Sequence, residues 1–240
     1  QIDEYERDTH PKEMTYDLSK LEPFKWACGH RIMRREIDDL TICFYGGEPL
    51  LKNRTIYKIM DMFPKARFCL QVVFEWGLGE DERELLKTVK DDYLMKMDTI
   101  LCSIDGRPEI TNKCRGNGTY ERIIENVECI KAKGFKNDIV ARMTVSVSQG
   151  GDIYEEVMHI LCVPLFGFFL RTLINKGFKH VHWQLDCNWD TPDNERIEEW
   201  CQWRDTSYNP GITRLADEFE RELENGRILP IAPFTGVLYS

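Results

Sequence analysis

Three places in the sequence set glycines and lone-pair groups where a small molecule could be held. Phe44-Tyr45-Gly46-Gly47-Glu48-Pro49 ends an apolar run with two glycines, which let backbone approach a ligand, and a carboxylate able to accept from an ammonium group. The same spacing also makes a tight turn ending in a surface Glu, and spacing does not choose between them. Ser103-Ile104-Asp105-Gly106, followed by Arg115-Gly116-Asn117-Gly118-Thr119 at the start of the next helix, sets a hydroxyl near a guanidinium. Together they can hold a carboxylate, because Arg offers a planar fork of donors. The structural alternative is a turn, with Asp105 entering a helix and Arg115 in a surface pair. Farther on, Arg142, Thr144 and Ser146 fall on one alternation face, and so do His182, Gln184 and Asp186. An Arg within a strand is costly unless it is paired or faces a ligand. These two polar faces fit either a pocket inside a barrel or the wet side of an edge strand.

The elements carrying these groups follow from hydrophobic periodicity. Strands are predicted at Leu40–Tyr45, Arg67–Val73, Thr99–Ile104, Asp138–Val147 and Lys179–Asp186. Tyr120, Ile123, Ile124, Val127 and Ile130 lie on one helical face, with Gly134 where a left-handed cap would end the helix. Helices are also predicted over Asp81–Met97 and Asp152–Leu161, with Pro164 and Gly167 breaking the apolar stretch that follows. Two more helices, Pro192–Arg204 and Gly211–Asn225, precede an extended run, Ile228–Phe234. Strands alternating with helices define an α/β chain with a parallel sheet, whose ligands bind beyond the C-terminal strand ends.

Bulk properties narrow the classes. A chain of 240 residues, 42% hydrophobic, is long enough for one domain with a real core, and no second domain is evident. Its net charge of -9 argues against a nucleic-acid partner. The nine cysteines are odd in number and form no C-x-x-C pair, so they read as reduced cytoplasmic thiols that define no metal site in this chain. The run Ile160–Leu170 contains Pro164 and has about half of the ~20 residues a membrane span needs, so a soluble protein without a membrane partner is expected. The chain opens on Gln1 with a polar stretch, which reads as a processed or truncated N-terminus.

With these residues in view, a family resemblance emerges. Phe44-Tyr45-Gly46-Gly47-Glu48-Pro49-Leu50 resembles the Gly-Gly-Glu motif that radical S-adenosylmethionine (SAM) enzymes present to the SAM amino group. Ser103-Ile104-Asp105-Gly106 with Arg115-Gly116-x-Gly-Thr-Tyr resembles the segment supplying serine and arginine to the SAM carboxylate in the sulfatase-maturating, SPASM-like, peptide-modifying branch. The stretches Ile139–Val147, Gly177–Asp186 and Tyr208–Arg214 are further similar to an archaeal group of that branch, and the resemblance runs from Met14 to Phe234. It implies a partial (β/α)6 TIM-like barrel over 1–234, with a helical extension from about 190, whose first strand and cluster loop are missing. It also implies SAM and a 4Fe-4S cluster as cofactors, and an oxidoreductase that cleaves SAM reductively to a 5'-deoxyadenosyl radical. The implied partners are a peptide or small protein substrate and an electron donor such as ferredoxin or flavodoxin. Gly46, Gly47 and Glu48 would position the ammonium, Ser103 and Arg115 the carboxylate, and Asp105 or Arg142 the ribose or carboxylate; His182, Gln184 and Asp186 would face the substrate.

The departures are equally specific. The family's triad (a cysteine, three residues, a cysteine, two residues, a cysteine) occurs nowhere in this sequence, so Gln1 is expected to begin just downstream of it and the chain by itself to be silent. After Gln71 relatives continue with Thr-Asn-Gly, whereas this chain has Val72-Val73-Phe74-Glu75-Trp76, which puts a polar contribution from the second strand in doubt. Segments 72–84 and 162–174 read as insertions or as errors in the sequence, and no cysteine-rich C-terminal extension is evident. Two other classes remain open: a cluster-free barrel lyase or hydrolase using Glu48, Asp105 and Asp186, and a non-catalytic peptide-binding barrel.

Overall fold

The computed structural model describes residues 18–33, 40–46, 48–72, 89–161, 177–186 and 194–238. Gly47, Val73, Cys162, Pro164, Gly167, Cys187 and Pro192 lie outside the described residues, as do the N-terminal part of the helix expected at 81–97 and all of 162–174.

Five short apolar runs form strands: β1 Thr41–Phe44, β2 Arg67–Val72, β3 Thr99–Ser103, β4 Asp138–Val145 and β5 His180–Leu185. They pair in chain order as one five-stranded sheet, every pair parallel. This is the expected α/β architecture, with three strands starting at the predicted residue and the other strand ends one or two residues inside the predicted limits. Beyond Val145 the chain leaves the sheet because Ser146 and Gln149 close a reciprocal cap on a 3-10 turn, Val147–Gln149.

Alternation separates the two faces of the sheet. Phe44, Leu70, Ile100, Cys102, Ala141, Met143, Val181 and Trp183 are buried, and they share one core with the apolar faces of the helices. Register puts Cys43, Cys69, Gln71, Ser103, Arg142, Thr144, His182 and Gln184 on the other side, which is the polar face.

Seen in chain order, the helices are α1 Leu21–Met33, α2 Asn53–Met62, α3 Asp91–Leu94, α4 Pro108–Arg115, α5 Thr119–Ala132, α6 Ile153–Leu161, α7 Asn194–Trp203, α8 Asn209–Glu224 and α9 Ala232–Leu238. The fully apolar stripe of α5, Ile123, Val127 and Ile130, is almost completely buried. Its end is a Schellman cap: Gly134 takes φ +94, its N–H bonds to Lys131 O at 2.9 Å, and Phe135 N bonds to Ile130 O at 3.4 Å. Gly177, entering β5, leaves no room for a side chain, because a Cβ there would meet Val127 Cγ1 at 2.5 Å.

Four expectations are corrected. Arg115 does not open the next helix; it ends α4, and Gly116 with φ 98 separates it from α5. At the described end of the helix expected over 81–97 there is a single turn, α3, because Lys90 is extended and its N–H is bonded to the Tyr57 hydroxyl at 3.0 Å. The break expected between α7 and α8 is a wide π-type turn, Arg204–Tyr208, that runs straight into α8. Pro210 has no N–H for the carbonyl one turn back and its ring crowds that carbonyl, so the ladder widens ahead of it without ending. Finally, the extended run stops at Ile231, which bridges Val181 in parallel before α9 begins at Ala232. Among the described residues no helix is long and apolar enough to cross a membrane.

Candidate functional site

The C-terminal ends of β1, β3, β4 and β5 carry most of the polar groups singled out in the sequence. Past β1, Gly46 takes φ +104 with open space where a Cβ would stand, so its backbone conformation requires glycine, not a close approach. Glu48 then caps the short 3-10 helix Pro49–Lys52, its Oε1 accepting from Leu50 N at 3.2 Å. The same carboxylate lies close enough to Cys102 to contribute, after burial, to pushing that thiol up from its ordinary value. Glu48 thus makes the turn contact weighed from sequence, as the cap of its own helix.

At the end of β3, Ser103 is buried and its hydroxyl makes no hydrogen bond to another described residue. Two residues on, Asp105 is 2% exposed and accepts Arg115 Nε at 2.6 Å, Arg115 Nη2 at 2.9 Å and the Thr144 backbone N–H at 2.9 Å. This bidentate pair is buried, with side-chain exposures of 12% for Arg115 and 1% for Asp105, unlike the surface pair weighed from sequence. It ties the loop after β3 to the end of α4 and to β4. Thr111 adds a second tie, its hydroxyl accepting from Asp105 N and donating to Gly106 O, both at 3.2 Å.

Glu156 of α6 completes the loop. It accepts Arg107 N at 2.6 Å, Nε at 3.0 Å and Nη2 at 2.7 Å. Gly106 has φ +123, and a Cβ at that position would fall on the Glu156 carboxylate, so both conformation and space demand glycine. Neither Glu156 nor Thr111 was flagged from sequence; Glu156 is a carboxylate within an otherwise apolar helical stripe.

Arg142 is the centre of the polar face. Its Nη1 donates to Gln71 Oε1 on β2, and its Nη2 donates to Gln184 Oε1 on β5 at 2.6 Å. The strand Arg whose cost required a partner thus has two, one of them reached across β3. Gln71 gives β2 one polar group on this face, at period-two spacing from Cys69; of the stretch after it, Val72 is buried and 73–76 lie outside the described residues. His182 lies beside Arg142 in register, and burial first, then that guanidinium, holds its pKa below the usual histidine value. Gln184 pairs with Thr144, and Asp186, just past β5, is exposed with its N–H bonded to Val145 O at 2.9 Å. Ser146 does not continue the row: its N–H bonds to Gln149 Oε1 at 3.0 Å and its hydroxyl meets that of Ser148 at 3.0 Å.

Ser103, Arg142, Gln71, His182 and Gln184 are therefore one neighbourhood, whereas Asp105 and Arg115 bind each other at its edge. Among the described residues no group of three or more His, Cys, Asp or Glu side chains could hold a metal ion.

No family model matches the chain, and no curated protein matches it. Among solved structures it is similar to native anSMEcpe with bound AdoMet, at 15% identity and TM-score 0.57, over 96% of this chain and 58% of that one. A domain of pyruvate-formate lyase-activating enzyme from Bacteroides vulgatus ATCC 8482 aligns at 14% identity and TM-score 0.41, over 67% of this chain and 90% of that one. The first likeness shows the fold alone, a parallel α/β sheet flanked by helices. The chain spans 58% of that neighbour's length.

Proposed function

We propose that this chain is the SAM-binding barrel core of a radical SAM enzyme that modifies a peptide or small protein, with ferredoxin or flavodoxin as electron donor. The observation that carries the reading is Ser103, 5% exposed and without a hydrogen-bond partner among the described residues, beside Arg142 in register at the C-terminal end of β3. These residues fit the methionyl end of SAM. Glu48 and the Gly46 backbone would take the ammonium, and Ser103 with Arg142 the carboxylate. Arg115 orients the Asp105 loop, and any contribution it makes to the carboxylate is through donors that Asp105 leaves over. His182, Gln184 and Asp186 line the side from which substrate would enter. SAM, when bound and reduced by one electron, supplies a carbon-centred radical; the protein's part is orientation and shelter.

The described cysteines do not fit a 4Fe-4S cluster, since no three thiols come together among them. We propose that this polypeptide alone does not cleave SAM. Anaerobic reconstitution with iron and sulfide is expected to leave SAM intact; cleavage to methionine and 5'-deoxyadenosine would overturn that statement.

Calorimetry tests the SAM site itself. Weak binding of SAM is expected, reduced roughly tenfold or more by Ser103→Ala and by Arg142→Ala, as for loss of a hydrogen bond to a charged group. No binding at millimolar SAM would sink the reading. The cluster-free hydrolase is disfavoured by Asp105, whose carboxylate already accepts three hydrogen bonds and is poorly placed to shuttle protons.

A further inference from the structure

Cys43 and Cys69 are partners in register on adjacent parallel strands. Such partners stand about 4.8 Å apart with parallel Cα–Cβ bonds, so both thiols project from the polar face as neighbours. Cys43 is exposed, Cys69 is half-buried, and both are free thiols; burial first, then the neighbouring Cys43, pushes the Cys69 thiol up from its ordinary value. The other described cysteines do not join them: Cys102 is on the buried face of β3, and Cys28, Cys114, Cys129 and Cys201 belong to α1, α4, α5 and α7.

Two observations decide what such a pair can hold. A relaxed disulfide wants its Cβ atoms roughly 3.5–4.5 Å apart, and parallel strands keep them near the full strand spacing, so a bridging atom suits the pair better than a direct S–S bond. Among the described residues no third His, Cys, Asp or Glu joins the pair in a metal site, so the two sulfurs suit an occupant that takes two ligands. Sulfur ligands select soft centres. We propose that Cys43 and Cys69 form a two-thiolate site for a soft, thiophilic centre, such as a monovalent d10 metal ion or a trivalent arsenical. This pair shares the polar face with Arg142, whose charge reaches Cys69, but the inference does not rest on the SAM reading.

Phenylarsine oxide is the probe. Two As–S bonds form as the arsenic–oxygen bond opens, and the oxide leaves with both thiol protons as one water; arsenic stays trivalent and no electrons are exchanged. Folded, reduced protein is expected to take one equivalent by native mass spectrometry, with peptide mapping joining β1 to β2 through the arsenic. A single thiol lacks the chelate advantage, so Cys43→Ser and Cys69→Ser should each hold the probe ~100-fold more weakly. Cys43 is exposed, so Cys43→Ser keeps the fold, which an unchanged melting temperature checks, and it remains decisive if Cys69→Ser unfolds. Wild-type occupancy in folded Cys43→Ser, or no adduct on the wild type, would overturn the site.

Discussion

At the scale of single residues, the polar groups divide between those that hold the protein together and those left for a ligand. Asp105 and Arg115 belong to the first set. Burying a charge is expensive, and removing one member of a buried pair leaves the other uncompensated. Arg115→Ala is therefore expected to cost about 3–5 kcal/mol in urea unfolding, and Arg115→Lys to lose much of that as well, since an ammonium cannot make the two parallel bonds. A loss under about 1 kcal/mol for Arg115→Ala would mean that the pair is exposed in solution. Ser103 and Arg142 belong to the second set: the hydroxyl has no described partner, and the guanidinium is held by two neutral side-chain carbonyls, with no carboxylate among its described partners. A guanidinium without a carboxylate partner keeps its charge available to an incoming anion.

Among the elements, α5 shows how closely a sequence pattern can specify structure. Its stripe of Ile123, Val127 and Ile130 repeats at helical spacing, and the chain ends it at Gly134, where φ is positive. Ile123 is 0% exposed, so Ile123→Ala should leave a cavity and cost about 2–5 kcal/mol, measured by chemical denaturation. The turn before α3 and the wide turn before α8 were not legible in the same way. The first depends on the Tyr57 hydroxyl bonding Lys90 N from 33 positions away. The second depends on whether Pro210 ends a helix or only widens it, which is decided by what packs on either side. The Trp203 and Tyr208 rings meet tilted at 31° with centroids 5.2 Å apart, and the Tyr208 hydroxyl accepts from Trp183 Nε1 at 3.1 Å, which ties the turn between the two helices to β5.

For the whole molecule, the C-terminal segment closes the core at the β5 edge. Val181 N bonds to Pro230 O at 2.9 Å, Ile231 is fully buried, and Phe234 meets Trp183 and Phe219 edge-on at 6.1 and 5.5 Å. Ile231→Ala is expected to cost about 3 kcal/mol and to lower the midpoint of a single cooperative transition. A separate early transition would instead show that the last fifty residues fold apart from the sheet. By itself the sequence determined the parallel α/β class, the five strands, the α5 stripe and the polar alternation of β4 and β5, because period-two and period-3.6 burial are written in neighbouring residues. Only the tertiary structure decided that Asp105 is spent on Arg115, that Arg142 joins Gln71 to Gln184, that Glu156 locks Gly106, and that Cys43 stands beside Cys69. Each of those is a pairing between strands or helices far apart in the chain, and register and packing, which no local pattern encodes, set who meets whom.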